Sequence, residues 1–149
     1  MSIPTGCPAE NGRDGWASFG QSTGFEQELL GILRGASDRG DRLVWITTDV
    51  HFAEVFRYRP FADRPAFVVH ELVTGPMNAG IFPIRDVDPT LAPEVLTFYG
   101  PATAESVMTW EEAKRWLNFG TLEVSASGSL RAGIVNTAGE RVFSLTLAP

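Results

Sequence analysis

The sequence predicts a mixed α/β domain with an α+β tendency, and three features predict it. A stretch near the N-terminus carries apolar residues at helical spacing. Short apolar runs bounded by turn residues fill the middle. Three strand-like runs separated by glycine-containing turns close the chain. At 149 residues the chain fits a single domain, 1–149, able to bury a core without disulfide staples.

Each element follows from its residues. Residues 1–20 are rich in Gly, Pro, Ser and Asn and are expected as loop. Ser22 or Thr23 can cap a helix whose apolar face is Phe25, Leu29, Ile32 and Leu33, with Gly35 as its stop. The polar segment 36–42 is then a turn. Leu43 to Thr47 is a continuous apolar run, the pattern of a strand buried on both faces. Residues 57–65 hold charges and two prolines and are expected as loop. Ala66 to Val73 is a second strand, 74–83 an irregular Gly/Pro segment, and 94–99 a short strand. Thr109-Trp110-Glu111-Glu112 has the spacing of a capping box, so a short helix burying Trp110, Ala113, Trp116 and Leu117 should follow. The final runs, "FGTLEVSA", "LRAGIVN" and "RVFSLTL", are joined by Ser127-Gly128 and Ala138-Gly139-Glu140 and predict a three-stranded antiparallel meander.

Composition excludes several function classes. A net charge of −6 leaves no basic footprint for nucleic acid and disfavours an anionic membrane surface. No run of about 20 apolar residues exists, so no membrane span is expected. The N-terminus lacks a basic region followed by an apolar one, so no secretory signal is visible and the chain as it stands is expected to be cytoplasmic. Cys7 is the single cysteine; it rules out an intrachain disulfide and is read as an incidental thiol.

The chemistry-bearing residues cluster after the first strand. In "WITTDVHFAEVFRYRP", Asp49 and His51 stand two apart and would share a face if the extended backbone continues. In α/β sheets functional groups collect beyond the carboxyl ends of strands. A carboxylate beside an imidazole suits either a first-row metal or an acid/base pair in which Asp sets the His tautomer. The bland alternative is structural: His51 bonded to a carbonyl and Asp49 to backbone N–H groups. His70 and Glu71 are sequence neighbours on a strand and point to opposite faces, so only one of them can face a site containing Asp49. Glu71 is read as a partner that orients His51, and His70 as a strand histidine. Arg57 and Arg59 follow the motif closely and could steer a phosphate, or form a solvated loop. Small residues at 20–27 could bind an anion at a helix start, with a plain N-cap as the simpler reading.

"LVWITTDVHFAEVFRYRP" followed by "FVVHELVTGPMNAGIFP" resembles the alkaline phosphatase D family of metallophosphoesterases. Members carry a late Gly-Asp-Val-His or Thr-Ala-Asp-Val-His motif at a strand end, followed by an aromatic, as Phe52 is here. They also carry a Glu-Phe-Val-x-Gly-Pro-x-x-Ala-Gly segment, similar to Glu71–Gly80, and end in a Phe-Gly-x-Leu-x-Val strand, similar to Phe119–Val124. The similarity runs in order from about residue 4 to the C-terminus. It implies the C-terminal half of a metallophosphoesterase-type β-sandwich with flanking helices, and hydrolysis of a phosphoester small molecule. The implied metals are iron and calcium, with zinc or manganese as alternatives, and members are often exported. Carried over by position, Asp49 and His51 are the late metal- or phosphate-contacting pair, and Thr48 beside them stands where Gly or Ala is usual.

The family's early ligands have no counterpart. There is no Asn-His pair, and His51 and His70 are the only histidines. A two-metal site takes roughly six or more protein donors. Two expectations follow: a metal-dependent phosphatase incomplete as an isolated chain, or a catalytically inactive half-domain acting as a structural or binding subunit. Both expect a homo-oligomer or a complementing N-terminal half.

Overall fold

A computed structural model describes residues 23–48, 50–82, 87, 91–103 and 109–149. The regular structure is mostly strand, in two sheets, with few helices, so the α/β content predicted from sequence is present. The chain begins with helix α1 (Thr23–Arg39). Strands β1 (Leu43–Thr47), β2 (Ala53–Tyr58), β3 (Val69–Val73) and β4 (Pro93–Tyr99) form one sheet in the order β1-β3-β2-β4. A short helix α2 (Trp110–Ala113) and a 3-10 turn at Lys114–Trp116 lead into β5 (Asn118–Val124), β6 (Leu130–Asn136) and β7 (Arg141–Leu147), an antiparallel meander. Strand β3 runs parallel to β1 and antiparallel to β2.

The helix runs past the expected stop at Gly35. The reason is a better stop five residues on. Gly40 adopts φ 72°, the left-handed region glycine enters without penalty. Its N–H reaches Ser37 O at 3.2 Å, and the Asp41 N–H reaches Ala36 O at 2.9 Å, which together make a Schellman cap. Leu29, Leu33 and Ala36 pack on Phe56, Tyr58, Val69 and Val73, the α1 side of the first sheet. Ile32 faces out, contrary to expectation. Phe25's side chain and the loop 1–20 lie outside the described residues.

The second face of the same sheet packs on the meander through Ala53, Val55, Leu72, Ala132 and Ile134. Helix, sheet and sheet therefore form three layers. The strands covered on both faces are β2 and β3, the latter buried at every position, and β1 is an edge with Ile46 half exposed. Central strand β2 falls in a segment read as motif followed by loop. Its charges break the alternation because they land on opposite faces: Glu54 lies opposite Val73 on the α1 side, and Arg57 opposite His70 on the meander side. The capping box at Thr109 forms as expected. Ala113 and Leu117 are buried behind it, but Trp110 is exposed. Gly128 and Gly139, both at positive φ, make the meander turns.

Candidate functional site

Beyond the carboxyl ends of β1 and β3 the chain builds a small polar cluster. Thr74 donates from its N–H to Thr47 O at 2.9 Å, which ties the two strand ends together. The loop after β3 then turns under a buried amide. The Gly75 N–H donates to Asn118 Oδ1 at 3.0 Å, the Asn118 N–H donates to Pro76 O at 3.1 Å, and Asn118 Nδ2 donates to Trp116 O at 2.9 Å. Asn118 is fully buried. Gly75 has to be glycine here. A Cβ would lie 2.4 Å from Asn118 Nδ2 and 2.9 Å from the carbonyl carbon and oxygen of Phe52.

This loop carries Gly80 to His51. His51 Nδ1 lies 2.6 Å from Gly80 O. A carbonyl only accepts, so Nδ1 holds a proton, and in the neutral ring Nε2 carries the lone pair. His51 also bridges its backbone to Phe82, whose ring meets the imidazole edge-on at 5.0 Å between centroids. The imidazole is half-buried, held on two sides, and able through Nε2 to accept a proton or ligate a metal.

The other candidates are distributed differently. Asp49 lies outside the described residues. Thr48 is exposed beside the strand end. Glu71, expected to orient His51, is fully buried on the α1 side, where Thr47 Oγ1 donates to Oε1 at 2.9 Å and Tyr58 OH donates to Oε2 at 2.5 Å. The orienting role belongs to the Gly80 carbonyl. Neither Thr47 nor Tyr58 carries a sequence signal for that network, and Asn118 carries none for the loop.

Arg57 and Arg59 sit at the far end of β2. Arg57 lies six residues from His51, about 20 Å along an extended strand. Arg57 Nε donates to Glu94 Oε2 at 2.9 Å, and Arg59 reaches the same oxygen at 3.2 Å. These hydrogen bonds hold the Glu94 carboxyl below the usual carboxylate range. The structure thus does not bring the two arginines to His51. His70 lies in the same cross-strand row as Arg57, and burial, then the charges of Arg57 and Arg59, push its pKa down.

Among the described residues no group of three or more His, Cys, Asp and Glu is placed to hold a metal ion, and no helix is long and apolar enough to cross a membrane. Compared with known proteins, the chain matches no family model, no curated protein and no solved structure.

Proposed function

We propose that the His51 end of the first sheet is one arm of a metal-dependent phosphoester hydrolase site of the phosphatase D type. The observation that carries the reading is the fixed tautomer of His51: Nδ1 is committed to Gly80 O, and Nε2 is presented beyond the ends of a parallel strand pair. That is the form in which a histidine ligates iron, zinc or manganese. Glu71 does not join such a ligand set, because both of its carboxylate oxygens are taken in the core. Asp49 is the natural second donor by sequence spacing. When bound, the metal would supply the charge that clamps a phosphate and activates water. The chain's own residues hold the His51 ring and shape the loop beside it. His51 and Asp49 alone are too few donors for a two-metal site, so little turnover is expected of the chain.

The test is metal content and hydrolysis of 4-nitrophenyl phosphate and bis(4-nitrophenyl) phosphate by the purified chain, with and without added iron, zinc, manganese or calcium. The expected result is weak metal retention that His51→Ala abolishes, with little turnover. Metal retention unchanged by His51→Ala would overturn the reading.

A second reading, a structural or binding subunit, draws on one observation. Ile46 on β1, with Leu122 and Val124 on β5, faces the gap between the sheets yet is 47%, 40% and 73% exposed, respectively. The margin between these strands is a groove of about 540 Å³. A second copy of the chain covering this margin would make the two-fold dimer that closed symmetry favours. A monomer by sedimentation at micromolar concentration removes this reading.

A further inference from the structure

At the opposite end of the sheet from His51, where β1 and β3 begin, lies a cavity of about 480 Å³. Its apolar wall includes Leu43, Phe67 and Leu147, and its polar lining includes His70, Arg42 and Arg64. The volume is within the range of small-molecule sites, roughly 300–1,000 Å³, which combine apolar walls with a few polar groups.

His70 is the feature that marks it. The residue is only 9% exposed, yet its ring makes no hydrogen bond among the described residues. No enclosed side-chain nitrogen or oxygen among those residues lacks a partner. The ring nitrogens of His70 are therefore not sealed in the core; they open on the cavity that the residue lines. Burial, then the charges of Arg57 and Arg59, push the His70 pKa down, which favours the neutral ring, with one donor and one acceptor.

The cations divide in the same informative way. Arg64 is engaged by Asp38 at 2.5 Å and by Ser37. Arg42 has no acidic partner among the described residues and lies exposed at the margin of the cavity. A molecule filling this space would meet a hydrogen-bonding imidazole inside, apolar walls along its body, and at the rim the Arg42 guanidinium beside Asp41, whose carboxylate is engaged by Arg39.

We propose that this cavity binds a small aromatic acid: a ring against Leu43 and Phe67, a hydroxyl on His70, and a carboxylate on Arg42. The site is independent of His51 and does not rest on the phosphoesterase reading.

The probe is 4-hydroxyphenylacetate, followed through the imidazole proton resonances. The chain has two histidines, so His51→Gln assigns both signals. The expected result is a saturable shift of the His70 resonance with the His51 resonance unmoved. Phenylacetate, lacking the hydroxyl, and 4-hydroxyphenylacetamide, lacking the charge, should each bind about tenfold more weakly. Arg42→Glu, at an exposed position, should weaken the acid about tenfold while leaving the neutral amide unchanged. No saturable shift at His70 overturns the proposal. So does a shift shared equally by both histidines, or acid binding indifferent to Arg42→Glu.

Discussion

Gly75→Ala is the sharpest test of how the loop beside His51 is held. The new Cβ would lie 2.4 Å from Asn118 Nδ2 and 2.9 Å from the Phe52 carbonyl. Comfortable heavy-atom separations begin near ~3.5 Å, so the Asn118 amide must retreat by about 1 Å and the Phe52 backbone by about half that. The amide cannot move and keep both side-chain bonds. Its contacts to Gly75 N at 3.0 Å and Trp116 O at 2.9 Å would stretch beyond hydrogen-bonding range. Overpacking costs about 1–3 kcal/mol, and each polar group left buried without a partner about 1–3 kcal/mol. We expect a loss of roughly 3–5 kcal/mol, or about 10 °C in Tm for a chain of this size. Urea unfolding followed by fluorescence of the four tryptophans reads it directly. Asn118→Ala should also destabilise, but the double variant should cost less than the sum of the two, by about 1–2 kcal/mol, because the first clash is then relieved. A Gly75→Ala chain within about 0.5 kcal/mol of the parent, or strict additivity in the pair, refutes the clamp.

Other expectations can be checked on the same samples. Tyr58→Phe keeps the ring and removes the donor to Glu71, so a loss of about 1.5–3 kcal/mol is expected in urea unfolding. His70 has a folded-state pKa below its ordinary 6.5, so the unfolded chain binds the extra proton first. Stability should therefore fall as pH drops below about 6.5, and His70→Gln should flatten that part of the profile. Glu94 also has a lowered pKa, so its contribution is present above its ordinary 4.5 and lost as pH falls through the folded value, a more acidic window. Glu94→Gln should cost little, because the ion pair is exposed, yet lower the His70 pKa further by leaving Arg57 and Arg59 uncompensated. An unmoved His70 titration in that variant would contradict the assigned cause.

The local signals in the sequence carried well where the chain interacts with itself at short range. The capping box at Thr109 and the glycine turns at 128 and 139 are set by neighbours within a few residues, and so the meander was legible. Long-range partners were not. Strand β2 hides because Glu54 and Arg57 each find a buried or paired environment supplied by other strands. Ile46 belongs to an apolar run, but its exposure depends on β3 being inserted between β1 and β2. At the candidate site, spacing identified His51 but not the carbonyl that fixes its tautomer, which comes from Gly80, twenty-nine positions away. Arg57 and Arg59 looked close to His51 because proximity in sequence was read as proximity in space; an extended strand carries them to the other end of the sheet.

Electrostatics constrains what the His51 end can bind. Most cations of the described residues already have a carboxylate partner: Arg34 with Asp63, Arg39 with Asp41, Arg57 and Arg59 with Glu94, Arg64 with Asp38, Lys114 with Glu111, and Arg131 and Arg141 with Glu123. Arg42, one of the few without one, lies at the far end. Arg115, the other described cation without a carboxylate partner, lies in the 3-10 turn whose flanking residues Ala113 and Leu117 pack on Ile81, and no hydrogen bond or ion pair among the described residues joins a cation to His51. On the phosphoesterase reading, phosphate binding and metal binding must then be one linked event, since the metal supplies the positive charge. Inorganic phosphate alone should leave the His51 ring resonance unshifted, and the same phosphate should bind once zinc has been added at saturating concentration. By reciprocity, phosphate should tighten zinc by the same factor. Phosphate that perturbs His51 equally well without metal would show that a side-chain cation, Arg115 or one outside the described residues, serves the site, and the linked-binding argument would fail.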